Sequence, residues 1–146
     1  MAIVLFDSNI LMDNFNGHTA AALEIFAYDD AIISSIVWME VACIMDDFQR
    51  TAFDTLLDAA EIRIVHPNDS IMRLAATIRG NSLADHHAGI GRKLDLPDCI
   101  IRATAEVEGR IIVTRNPADF GGARPNVRVP YEIIDGAAVN IKPPLL

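Results

Sequence analysis

Five short apolar runs, each rich in β-branched residues and each separated from the next by a longer stretch, constrain this chain more than any other feature. They read "IVLF" (Ile3 to Phe6), "AIIS" (Ala31 to Ser34), "IRIV" (Ile62 to Val65), "RIIVT" (Arg110 to Thr114) and "VRVPYEII" (Val127 to Ile134). Length and composition make them strands. Pro130 removes a ladder donor from the last, which suits an edge or broken strand. Helical patterns lie between them. Ser35 to Met45 follows a serine cap. Asp47 to Ala60 repeats Phe48, Ala52, Leu56 and Ala60 at steps of four. Asp69 to Arg79 ends at Gly80 and Asn81, and Asp98 to Glu108 follows Pro97 and ends at Gly109. Strands alternating with helices predict an α/β fold, with a parallel sheet covered on both faces. Asn81 to Leu96 reads as a short helix plus a loop, and the segment after Gly136 as a loosely ordered tail.

At 146 residues and 51% hydrophobic, the chain is the size of one domain, 1–146, with a sizeable core. No run approaches the roughly 18 apolar residues of a membrane span, and the N-terminus lacks the basic flank of a secretory signal, so a soluble, cytoplasmic protein is expected. Cys43 and Cys99 lie in apolar segments without metal-ligand spacing and read as buried, reduced thiols. The net charge is −8 and unevenly spread: residues 1–60 hold ten acids against Arg50, whereas residues 61–146 hold eleven basic and ten acidic residues. A diffuse basic field for nucleic acid is absent. Any polyanion bound here is held by local groups or by a metal.

In an open parallel sheet, ligands bind outside the carboxyl ends of the strands, and the starts of the following helices lie on the same edge. Asp7 directly follows the first strand. Glu40 lies in the helix after the second, Asp98 opens a helix after "KLDLP", and Asp119 lies in "TRNPADF" after the strand Arg110 to Thr114. Each has a plainer reading: Asp98 as a first-turn residue favoured by the helix dipole, Asp119 as a turn cap, Asp7 as a strand-end turn residue. Glu40 resists it, because it interrupts an apolar stretch beside Trp38 and Met39, and a carboxylate near a core needs a partner. A divalent cation would gather all four, offsetting their repulsion and taking oxygen ligands. Asp7 is then a metal ligand on a rigid strand tip.

In order and spacing, "LFDSNILMD", "SSIVWMEV", "LPDCIIRATA" and "IIVTRNPADF" resemble the four acidic motifs of PIN-domain nucleases, especially the VapC-type toxins of toxin–antitoxin pairs. The resemblance runs from Ile3 to about Phe120. It implies a five-stranded parallel sheet flanked by helices, and an acidic cluster of Asp7, Glu40, Asp98 and Asp119 around Mg²⁺ or Mn²⁺. Asp7 and Asp98 would be direct ligands, with Glu40 and Asp119 acting through water or a second ion. Asn9, Thr114 and Asn116 would orient ligands or the scissile phosphate. It further implies hydrolysis of RNA phosphodiesters, a partner antitoxin and a homodimer. The acidic N-terminal half would attract a basic peptide.

Arg102 departs from the family, which usually has a small residue there. One turn from Asp98, it is placed to hold that carboxylate or reach a phosphate, the plainer reading being a helix ion pair. Arg92, Lys93 and Arg115 lie near the motif segments and read equally as phosphate contacts or as solvated surface. His86 and His87, being adjacent, point in different directions and read as surface residues. Trp38 and the phenylalanines read mostly as core. Three alternatives stay open: a PIN-like module that binds without turnover, a processing nuclease that is not a toxin, and a deoxyribonuclease, since no residue identifies a 2′-hydroxyl contact. A receiver-like domain is disfavoured, because the first strand ends in one acid followed by Ser8 and Asn9.

Overall fold

The structure, a computed structural model, describes residues 1–122 and 124–146. Its central layer is a five-stranded parallel sheet of β1 (Val4–Phe6), β2 (Ala31–Ser34), β3 (Ile62–Val65), β4 (Ile111–Val113) and β5 (Val127–Arg128), in spatial order β3-β2-β1-β4-β5. The α/β architecture read from the alternating runs is the one found. The first strand is central, with Leu5 opposite both Ile32 of β2 and Ile112 of β4. Val4, Leu5 and Phe6 are completely buried, so β1 carries apolar side chains toward both faces, as a sheet covered on both sides requires. Strand order reverses direction in sequence at β1 and β4, and the carboxyl ends of these two strands define the crevice where such sheets bind ligands.

Six helices surround the sheet: α1 (Ser8–Phe15), α2 (Thr19–Ile25), α3 (Ser35–Ala42), α4 (Asp47–Ala59), α5 (Asp69–His87) and α6 (Leu96–Val107). Their starts follow the chemistry of the sequence. Asp7 caps α1 by accepting from Ser8 N, Ser34 caps α3 through Ile36 N, and Asp46 with Gln49 forms a reciprocal capping box on α4. The stretch between the first two strands had no assignment from its pattern, yet it folds into α1 and α2, whose Ile10, Leu11, Ala21 and Ile25 are fully buried.

Several expectations need correction. Helix α5 does not stop at Gly80 and Asn81 but runs on to His87, and the positive φ that ends the turn belongs to Gly89 (φ 73°). Gly80 costs such a helix only about 1 kcal/mol. Buried Ser82 anchors the extra turns, donating to Arg79 O at 3.0 Å and accepting from Leu94 N at 3.2 Å. The last predicted strand is broken: only Val127–Arg128 joins the sheet, and Glu132–Ile134 (β6) pairs antiparallel with Ala137–Val139 (β7). Asp135 and Gly136 between them both have positive φ, the backbone of a tight hairpin turn. The segment after Gly136 is therefore tied down rather than loose. Cys43 is exposed, and only Cys99 is buried. Phe48, Phe26 and Phe15 are exposed, while Phe53 and Leu57 form the buried face of α4.

The C-terminal segment is fastened by a buried ion pair. The Arg128 guanidinium donates to both carboxylate oxygens of Glu24 at 2.6 and 3.1 Å, and to the carbonyl of Pro143 at 2.8 Å. Tyr28 donates to Glu24 at 2.6 Å and accepts from Leu145 N at 3.2 Å. Both charged side chains are more than nine-tenths buried. Breaking such a pair strands a charge in the interior, whereas replacing both partners with neutral groups need not. Arg128→Ala is expected to cost about 3–5 kcal/mol in urea denaturation, and the double variant Glu24→Gln, Arg128→Met to recover most of that loss.

Candidate active site

Asp7 stands at the tip of β1 with 4% of its surface exposed. Its backbone N–H donates to Val113 O at 3.0 Å, so the residue is pinned to β4. Its carboxylate accepts three hydrogen bonds: from Ser8 N at 2.8 Å on Oδ1, and from Asn9 Nδ2 at 3.1 Å and Thr114 Oγ1 at 2.8 Å on Oδ2. Burial raises its pKa, and the Thr114 and Ser8 hydrogen bonds oppose that rise. The Thr114 hydroxyl also accepts from Asn9 Nδ2 at 3.2 Å and Asn116 N at 3.0 Å, so its one proton and both lone pairs are used. Asn9 Oδ1 accepts from Arg115 N at 3.2 Å, fastening the start of α1 to the loop after β4.

Glu40 reaches the same edge from α3, Asp98 from the first turn of α6, and Asp119 from the 3₁₀ turn Pro117–Phe120. Burial pushes Glu40 up to about 7, with Asp7 and Asp119 adding repulsion. Burial likewise pushes Asp98 up to about 7, with Asp119, Asp7 and Glu40 adding to it in that order. The four acids, taken from four distant segments, thus feel one another's charge. Glu40 Oε1 is buried with no hydrogen-bond partner, an acceptor in want of a cation. An all-oxygen donor set suits Mg²⁺ or Mn²⁺ rather than a softer metal. As they stand, no three Asp, Glu, His or Cys side chains among the described residues are drawn together tightly enough to hold an ion.

The arginines are placed differently from expectation. Arg102 does not hold Asp98: its Nε donates to Glu106 Oε1 at 3.2 Å, one turn further along α6. Arg115 is engaged in a two-pronged pair with buried Asp13 (Nε–Oδ2 2.5 Å, Nη2–Oδ1 3.1 Å), and Tyr131 OH donates to the same Asp13 oxygen at 2.8 Å. It therefore supports the loop that carries Thr114 and Asn116 rather than lying free for a phosphate. The Asn116 side chain is exposed beside that loop. Arg92, from the loop before α6, makes an ion pair with Asp119. His86 and His87 are exposed and stand apart from the acids. Sequence reasoning missed Asp13 and Tyr131 altogether. Asp13 offered one signal, a charge inside the otherwise apolar face of α1.

Asp7 thus stands hydrogen-bonded at the switch point of a parallel sheet, with Glu40, Asp98 and Asp119 carried by elements that follow its strands. The PIN domain family model matches residues 4–120, and the chain belongs to that family. A toxin–antitoxin complex from Klebsiella pneumoniae contains a chain 33% identical, with a TM-score of 0.71, the match covering 89% of this chain and 99% of that one. VapBC2 from Rickettsia felis bound to a promoter DNA fragment matches at 20% identity and a TM-score of 0.61, covering 86% and 95%. VapBC-1 from nontypeable Haemophilus influenzae matches at 17% and 0.60, covering 82% and 90%. At these lower identities the likeness is one of fold. A search of curated proteins gave no match.

The raised carboxylates make stability depend on pH. Each of Asp7, Glu40 and Asp98 binds its proton more tightly folded than unfolded, so their contribution is fully present below about pH 4 and is lost as pH rises through the folded values, about 7 for Glu40 and Asp98. Asp98→Asn removes one member of the set. Allowing for solvent screening of a half-buried group, it should raise the melting temperature of chelator-treated protein at pH 8 by roughly 3–6 °C. At pH 4 it should change little. Thermal melts across pH 4–8 check the sign.

Proposed function

We propose that this protein is a divalent-metal-dependent endoribonuclease, the toxin of a toxin–antitoxin pair, and that Asp7, Glu40, Asp98 and Asp119 form its metal-holding and catalytic set. The observation that carries the reading is the mutual electrostatic coupling of those four acids at the strand-end crevice, with Glu40 Oε1 left without a partner. Asp7 and Asp98 would hold Mg²⁺ or Mn²⁺ directly, and Glu40 and Asp119 through water or at a second ion. When bound, the cation supplies activation of the attacking water and neutralises charge on the phosphate.

The remaining work falls to the chain's own residues. Asn9 and Thr114 fix the Asp7 carboxylate in one orientation, so that no reorganisation is needed when substrate arrives. Asn116, exposed at the lip of the crevice, would take a phosphate oxygen. Arg115 keeps that lip in place through Asp13. Arg92 engages one oxygen of Asp119 and would orient that carboxylate toward a cation held there. No helix among the described residues is long and apolar enough to cross a membrane.

The toxin assignment rests on the relatives, among them the 33% identical chain in a toxin–antitoxin complex. An antitoxin, and a second copy in a homodimer, would find apolar side chains on the surface, including Met39, Ile44 and Phe48 at 53%, 73% and 83% exposure. The acidic N-terminal half would draw a basic antitoxin segment.

The test is cleavage of structured RNA and of matched single-stranded DNA with Mg²⁺, Mn²⁺ or chelator, after removal of any bound inhibitor. RNA should be cut only with metal, and folded Asp98→Asn should be slower by on the order of 10²–10³-fold. Equal cutting of DNA would make the enzyme a general nuclease. Absence of cutting by native protein would leave a binding module in its place.

A further inference from the structure

Tyr131 is among the largest fully buried side chains, 1% exposed, and it lies beyond residues 4–120 that the family model matches. Strand β5 delivers it. Thr114 N donates to Arg128 O at 3.0 Å and Lys142 N to Pro130 O at 2.8 Å, so the segment carrying Tyr131 is fixed both to the end of β4 and to the C-terminal residues. Its hydroxyl donates to Asp13 Oδ2 at 2.8 Å, the oxygen that also takes Arg115 Nε at 2.5 Å. Arg115 Nη2 reaches the other oxygen at 3.1 Å, a fork that fits only while the Asp13 carboxylate keeps one plane. Asp13 is buried, so bulk water is not at hand to replace a lost donor. Burial first, and then the hydrogen bond to Asp13, raise the Tyr131 pKa, which keeps the hydroxyl a donor at any working pH.

From Arg115 the contacts run on to the strand-end carboxylate. The Arg115 backbone N–H donates to Asn9 Oδ1 at 3.2 Å. An amide whose oxygen is held on that side turns its NH₂ to the other, where Asn9 Nδ2 donates to Asp7 Oδ2 at 3.1 Å and to Thr114 Oγ1 at 3.2 Å. With the loop displaced, the Asn9 amide would be free to turn over and set its oxygen against the Asp7 carboxylate. The same loop carries Asn116, whose N–H donates to Thr114 Oγ1, and Asp119, whose N–H donates to Asn116 O at 3.1 Å. We propose that Tyr131 is a positioning residue for the metal site: through Asp13, Arg115 and Asn9 it fixes the Asp7 carboxylate in the orientation a divalent cation requires. The proposal rests on the reading of Asp7 as a metal ligand, and it gives a segment outside the matched PIN residues a share of the ion affinity. Groups that orient a metal ligand typically govern about 10–100-fold in affinity or activity. Tyr131 acts through three intervening residues, which places it at the lower end.

The experiment compares folded Tyr131→Phe with native protein and with Tyr28→Phe. Phenylalanine keeps the ring and removes only the hydroxyl. Tyr28 is the control: it too is buried and donates to a carboxylate, but its partners Glu24, Arg128 and Leu145 lead to the C-terminal residues rather than to Asp7. Mn²⁺ affinity is read without turnover, from the electron spin resonance signal of free Mn²⁺, and RNA cleavage gives kcat and KM. Tyr131→Phe should bind Mn²⁺ about tenfold more weakly and lower kcat with KM for RNA unchanged, the loss shrinking as Mn²⁺ is raised. Tyr28→Phe should match native protein in both, whatever it loses in melting temperature. Native Mn²⁺ affinity in folded Tyr131→Phe overturns the proposal, as does an equal fall in both variants, which marks lost stability alone. If Tyr131→Phe melts too early, Arg115→Lys breaks the same path by keeping the charge and losing the fork, and native Mn²⁺ affinity there overturns the proposal equally. RNA cut alike by native protein and Tyr131→Phe, with equal Mn²⁺ affinity, leaves the nuclease standing and removes only the positioning role. Native protein that binds Mn²⁺ without cutting removes the nuclease, while weaker Mn²⁺ binding by Tyr131→Phe alone still upholds the positioning role. Native protein that does neither removes both.

Discussion

Placing a carboxylate at the end of the central strand, nearly out of water, is the constraint on which the rest of the structure depends. A bare charge there would cost several kcal/mol, and the chain answers with donors from both sides of the crevice. Ser8 and Asn9 come from the helix that Asp7 itself starts, while Thr114 comes from the far end of β4. The Thr114 hydroxyl can face Asp7 only because β4 lies directly beside β1, in a register that sets Val113 opposite Phe6. Sheet topology and site chemistry are therefore one arrangement. Glu40 and Asp98 hold protons near neutrality first because they are half-buried, and then because the other acids repel their charge.

Two arginine–carboxylate pairs, one part-buried and one fully buried, extend the same logic outward. Arg115 with Asp13 braces the loop below Thr114, and Arg128 with Glu24 closes the C-terminal segment over α2. Each pair receives a tyrosine hydroxyl, Tyr131 in the first and Tyr28 in the second. In both, the acid lies on one of the first two helices and the arginine at a strand end, Arg115 just past β4 and Arg128 at the end of the edge strand β5. Full hydrogen bonding is what makes such burial tolerable. Together they join the acidic N-terminal part of the chain to the basic remainder, so the uneven charge along the sequence is partly reconciled inside the fold.

The strands and the four acids were legible because their signals are local. A β-branched run, a serine or aspartate before a helix, and a carboxylate just past a strand each mean the same thing wherever they occur. What escaped depended on distant partners. Arg102 has acids four residues away on both sides, Asp98 and Glu106, and sequence spacing offers no choice between them; the second contact from Arg124 to Glu106 marks the side the fold uses. Gly80 carries a stop signal that buried Ser82, bonded to Leu94, overrides. Arg115 looked free because Asp13 lies 102 residues away. Cys43 sits within an apolar run yet ends α3 at the surface, since the run is longer than the face the core can cover.

The long reach between Asp7 and Thr114 has a consequence for the order of events at the ribosome. The carboxylate precedes its hydroxyl partner by 107 residues. At bacterial-type elongation rates of ~5–20 residues per second, that interval is on the order of ten seconds. Throughout it the nascent chain has its first apolar strand and no completed crevice. The acids come together only once Asp119 has been made, so the strand-end crevice is completed long after the strand that opens it.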